Sequence, residues 1–167
     1  WMRDEAGDLI QFSGHEGAVT AITTLPNGRV ATTGMDLKIR AWDPETAQMV
    51  HSFTGLKSPV VVMDAANSGN QAVCGCEDQL LFIWDFDNGT ARATYRAKST
   101  VLAVSGERSC VLLGDMEGNV GVFSLKSGTS IFSQKFDAPI KGGALSPDGK
   151  RGAVFDEAGA IYRFEVK

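Results

Sequence analysis

Apolar and polar residues alternate with a period of two along most of this chain, and turn signals interrupt the alternation every eight to twelve residues. The first complete stretch contains the runs AVTAIT, RVATTG, KIRAW and QMVHSF, which predicts four short strands. Between the first two stands LPNG at 25–28, and SPDG stands at the matching place at 146–149. Proline presets one backbone dihedral and Asn-Gly or Asp-Gly tolerates the left-handed one, so both are tight turns. EGN at 117–119 and EAG at 157–159 read as turns between a second and a third strand. No stretch sustains a 3.6-residue period, so the chain is expected to be all-β.

The four-strand unit recurs. WDPETAQMVHSFTG at 42–55 aligns with WDFDNGTARATYRA at 84–97: a Trp-Asp, a polar turn, then an alternating strand. The opening WMRDEAGDLIQFSG fits the same register, with Met2 in place of the aspartate. Trp1, Trp42, Trp84, Phe123 and Phe164 follow one another at intervals of 41, 42, 39 and 41 residues. A period of about 40 to 45 with four strands per unit and a Trp-Asp closing the third strand resembles the WD-repeat β-propeller family. The resemblance covers essentially the whole chain. It implies about four WD-type blades of four antiparallel strands, within a larger ring of seven blades or a similar number. Residues 1–14 would end a preceding blade, 15–55, 56–97 and 98–138 would be complete blades, and 139–167 would supply the first three strands of a last one. The ring would close with blades upstream of Trp1, the preferred solution, or with a second copy of the chain.

In that family a histidine, a hydroxyl on the second strand, an aspartate in the next turn and the tryptophan form a hydrogen-bonded chain across each blade. SGHEGAV and ATTGMDLKIRAWD place His15, Thr32, Asp36 and Trp42 in those roles. A histidine, a carboxylate and a hydroxyl are also the ingredients of acyl transfer, but the repeat implies a buried structural network instead. The second unit keeps Asp78 and Trp84, while Leu56 stands for the histidine and Cys74 for the hydroxyl. The third has Lys98, Leu113, Glu117 and Phe123, and the fourth has Ala158 and Phe164, so the full chain is expected in the first blade only.

Composition narrows the function. A formal charge of −4 and a pI near 5.1 argue against a sequence-independent grip on nucleic acid, which needs clustered Lys and Arg. The longest apolar runs, PVVVM and LLFIW, fall short of the roughly 20 residues that span a bilayer. Cys74, Cys76 and Cys110 form no disulfide framework and point to a cytoplasmic, intracellular setting, with the nucleus left open. Cys74 and Cys76 share a strand face, yet His15 and His51 lie in another blade without metal-motif spacing, so small residues packed between blades are expected and no metal. DFDNGT at 85–90 lacks the glycine position and the final glutamate of a calcium loop and reads as a surface turn. GDMEGNVG leads into a strand rather than a helix and cannot cradle a phosphate in the usual way.

No cofactor is indicated, and no enzyme. The expected function is a non-catalytic protein–protein interaction scaffold, with other proteins as partners. The resemblance implies a binding face made of the loops that enter each first strand and the turns between second and third strands, here Glu16, Met35, Lys57, Glu77, Lys98 and Met116. The alternative is a propeller that recognises a modified peptide or RNA at its central channel, which would need a basic or aromatic channel mouth.

Overall fold

A computed structural model describes residues 2–3, 9–66, 70–96, 100–105, 109–124 and 126–166. Among them there is no helix. The strands assemble into antiparallel sheets. β1 (Met2–Arg3) and β2 (Leu9–Ile10) form a short ladder. The first full sheet is β3 (Val19–Thr24), β4 (Val30–Gly34), β5 (Ile39–Trp42) and β6 (Met49–Phe53), paired in chain order. The second repeats it with β7 (Val60–Ala65), β8 (Gln71–Cys76), β9 (Leu80–Asp85) and β10 (Thr90–Arg96). The third is β11 (Thr100–Ser105), β12 (Cys110–Gly114), β13 (Asn119–Ser124) and β14 (Thr129–Lys135). The last has three strands, β15 (Ile140–Leu145), β16 (Arg151–Asp156) and β17 (Ile161–Glu165).

Each of the four larger sheets is a blade of a β-propeller, and these blades pack face to face. β3 lies against β7, and β11 against both β7 and β15. A middle blade is therefore covered on both sides, and its inner strands are apolar almost throughout: in β8 every residue from Ala72 to Cys76 is buried. Alternation decides which neighbour each side chain meets. Ala72, Cys74 and Phe82 turn to the first blade, joining Ala31, Ile39 and Val60, while Val73 and Leu81 pack with Val111 of the third. Leu112, Val120 and Val122 join Ile140, Val154 and Phe164 between the third and last blades. The Thr23 hydroxyl adds a polar tie, accepting the Ala65 amide across the first interface at 3.2 Å.

The outermost strands have fewer neighbours and revert to a mixed exposure pattern, as in β6 and β14. The bend at DFDNGT has a buried foundation, because Asp85 and Phe86 are both 4% exposed, which a purely solvated turn would not predict. Its Asp85 carboxylate accepts the amides of Asp87 and Asn88 and so closes the turn from within.

Candidate functional site: a buried polar chain beneath a rim of loops

The register of β4 on β5 sets Thr32 opposite Arg40 and Val30 opposite Trp42. Trp42 Nε1 donates to Thr32 Oγ1 at 2.7 Å, Thr32 Oγ1 lies 2.8 Å from His15 Nε2, and His15 Nδ1 lies 2.9 Å from Asp36 Oδ1. The donor inventory fixes the protons. A carboxylate can only accept, so Asp36 takes the hydrogen of His15 Nδ1 and leaves Nε2 of the neutral ring to accept from the Thr32 hydroxyl, which in turn accepts from the Trp42 indole. The imidazole proton then sits on Nδ1 and points at Asp36. Arg40 Nη1 lies 2.7 Å from both Asp36 Oδ2 and His15 Nδ1. Only the carboxylate has a lone pair free for it, so the ion pair with Asp36 is the bond that forms.

His15 and Asp36 keep 6% and 4% of their side-chain surface in contact with water, and Arg40 4%. Asp36 also accepts the amides of Glu16 and Lys38 at 3.1 and 3.3 Å. Burial alone would raise its pKa, but the bonds from His15, Glu16 and Arg40 outweigh burial and hold the carboxyl well below its usual range. Gly34 is required by this crowding: a Cβ there would stand 2.6 Å from His15 Nδ1. With both ring nitrogens engaged, the imidazole has no lone pair to act as a base on a substrate.

The other blades hold their turns differently. In the second, Asp78 accepts the Leu80 amide two residues on and lies 3.6 Å from the Arg96 guanidinium, and Trp84 Nε1 has no partner among the described residues. In the third and last, the carboxylates that organise the turn are Asp115 and Asp156. Asp115 accepts the amides of Glu117 and Asn119, and Asp156 accepts the Ala160 amide and the Tyr162 hydroxyl. The repeat register singles out 117 and 158, whereas these carboxylates lie two residues earlier and tie their own turns to the strand that follows.

Cys74 and Cys76 are buried against the first blade. Burial first, and then the neighbouring Cys76, push the Cys74 thiol well up, and burial with Asp78 pushes Cys76 up to about 12. Neither is a thiolate at neutral pH, so neither is a ready nucleophile.

A repeated backbone bond builds the rim. Met35 N donates to Ala18 O, Glu77 N to Pro59 O and Glu157 N to Pro139 O. In the first, second and last blades the turn between second and third strands is thereby laced to the loop entering the same blade. Glu16, Met35, Lys57, Glu77 and Met116 are all exposed, Met35 at 54% and Met116 at 63%. Lys98 lies outside the described residues. Sequence reasoning missed Arg40, the buried cation of the first blade; its spacing of four from Asp36, on an inward position of β5, is the signal that could have found it.

A sequence profile of the WD domain, G-beta repeat, matches residues 8–43 and 47–85. The chain is 25% identical over 161 residues to the human angio-associated migratory cell protein, covering 95% of this chain and 37% of that protein. It is 31% identical over 159 residues to ribosome biogenesis protein YTM1 of Laccaria bicolor, covering 87% and 35%. It thus spans about a third of the length of these relatives. The crystal structure of the computationally designed Ika4 protein superposes with a TM-score of 0.73 at 20% identity, over 96% of this chain and 99% of that one, a likeness of fold alone.

Proposed function

The chain carries WD repeats of the G-beta kind at 8–43 and 47–85, and from that premise we propose that it is a non-catalytic scaffold whose loop rim binds protein partners within a larger assembly. The observation that carries the reading is the rim itself. The first, second and last blades use the same amide-to-carbonyl bond to hold a turn against an incoming loop, so their side chains are presented at one end on a rigid support. Exposed methionines there are adaptable contacts, and Glu16, Lys57 and Glu77 supply charges of both signs for selecting a partner. The name of one relative, a ribosome biogenesis protein, supports the same reading, and the setting proposed with it is intracellular. His15, Thr32, Asp36 and Trp42 are assigned here to holding the first blade in shape beneath that rim, with Asp78 and Trp84 a partial version of the set in the second.

The test is affinity capture with the full-length protein carrying Met35→Glu and Met116→Glu, beside Lys126→Glu in the turn between β13 and β14 at the opposite end. The rim variant is expected to lose its captured partners by about tenfold or more, with the Lys126 variant unchanged. Equal capture by both would refute the rim as the binding face.

A further inference from the structure

The second blade repeats the first with its buried polar positions made apolar. Strand for strand, Leu56 occupies the place of His15, Cys74 that of Thr32, Cys76 that of Gly34 and Phe82 that of Arg40, while Trp84 keeps the place of Trp42. The aspartate remains as Asp78 in the turn, paired with Arg96, and one buried polar group is left behind. Trp84 is 7% exposed, and its Nε1 has no hydrogen-bond partner among the described residues. An indole nitrogen can only donate, so it needs an acceptor from elsewhere. Trp84 lines a cavity of about 330 Å³ between the loop at 54–58 and the strands β9 and β10. Leu56, Leu80 and Phe82 share its walls, and Lys57, Asp78 and Arg96 also border it. Arg96 is already engaged there, donating to the Asp78 carbonyl at 2.7 Å and lying 3.6 Å from its carboxylate. Lys57 and Arg96 are exposed, and so belong to its mouth.

We propose that this cavity is a binding site for a small neutral ligand with an apolar body and one carbonyl acceptor, which the Trp84 indole N–H engages. Its size falls within the usual range of ligand pockets, and apolar-lined cavities of roughly half the volume take up benzene. Neutrality follows from the walls. Leu56, Leu80, Phe82 and Trp84 carry no charge, and of the charged groups that border the cavity Asp78 and Arg96 are already paired with each other while Lys57 is exposed to solvent, so a desolvated ion would go unpaired against the apolar walls. The carbonyl follows from the unmet donor, since a purely apolar ligand would leave that donor unsatisfied. Loss of the polar chain and gain of a pocket are thus one event in this blade, and the pocket opens beside the rim proposed for protein partners, with Lys57 common to its mouth and to the rim.

The experiment follows the indole N–H resonances of the protein by two-dimensional NMR during titration with acetophenone, and with α-methylstyrene, in which a methylene replaces the carbonyl oxygen. Acetophenone is expected to move the Trp84 resonance saturably and leave Trp42, bonded to Thr32, in place; α-methylstyrene should bind about tenfold more weakly. Leu56→His with Cys74→Thr supplies the indole with an internal acceptor and should abolish binding. Ala91→Leu, at an exposed position lining the cavity, should block it without disturbing the fold. An unmoved Trp84 resonance, equal affinity for the two probes, or wild-type binding by Ala91→Leu would overturn the proposal.

Discussion

Asp36 collects hydrogen bonds from His15, the amides of Glu16 and Lys38, and Arg40, so its removal strands several buried donors together. Asp36→Ala is expected to destabilise the protein by about 2–3 kcal/mol at pH 7, since each buried group left unpaired carries a desolvation cost that a lost surface contact does not. Glu117→Ala, at an exposed turn position, should stay within about 0.5 kcal/mol of the parent. The pH dependence has a definite sign. The folded carboxyl is held below its ordinary value of 3.8, so its contribution is fully present above that pH and lost as the pH falls through the depressed value. Denaturant titrations at pH 7 and at successively lower pH should therefore show the gap between parent and Asp36→Ala narrowing only in acid. Equal losses for the two alanine variants at pH 7 would show that the network does not hold the blade.

At the scale of the element, the turn between second and third strands is one solution written four ways. Each places a residue in the left-handed region: Leu37 at φ 59°, Gln79 at 69°, Gly118 at 85° and Gly159 at 86°. Glycine occupies that region freely, whereas an L side chain strains by about 1–2 kcal/mol. Gln79→Gly should therefore stabilise the protein by about 0.5–1 kcal/mol, the relief of strain being partly offset by the freer unfolded chain. Gly118→Ala should do the reverse, because its Cβ would meet the Phe136 carbonyl oxygen at 2.2 Å. Thermal unfolding of the two variants checks the pair, and a fall in midpoint for Gln79→Gly would contradict the strain argument. The apolar periodicity made these strands and turns legible. It could not show that Asp115 and Asp156 organise their turns, because a carboxylate's usefulness there depends on which amides the bend turns toward it.

Across the whole molecule the blades form an arc. β3 packs on β7, β7 on β11 and β11 on β15, and among the described residues no comparable packing joins β15 back to β3. The faces at the two ends carry exposed apolar side chains, Ile22 at 63% on the first blade, and Phe155 at 47% and Ile161 at 78% on the last. Apolar surface of this kind drives association when nothing covers it. The 167-residue chain on its own is expected to self-associate with concentration in sedimentation velocity, and Ile22→Lys with Phe155→Lys should suppress this with little change in unfolding midpoint. Sedimentation of the parent as a monomer at all concentrations would count against the end faces as association surfaces.

The repeat of about 41 residues, the strand alternation and the identities at 15, 32, 36 and 42 are written in the sequence because each depends on local spacing: a period of two sorts faces, and a fixed interval brings the same residue to the same corner of each blade. The fate of the polar groups is not local. Whether a cation such as Arg40 ends buried beside Asp36, or an indole such as that of Trp84 beside an apolar cavity without an acceptor, depends on side chains tens of residues apart in the chain. Tertiary packing decided that, because burial turns the presence or absence of one hydrogen-bond partner into a decisive energy.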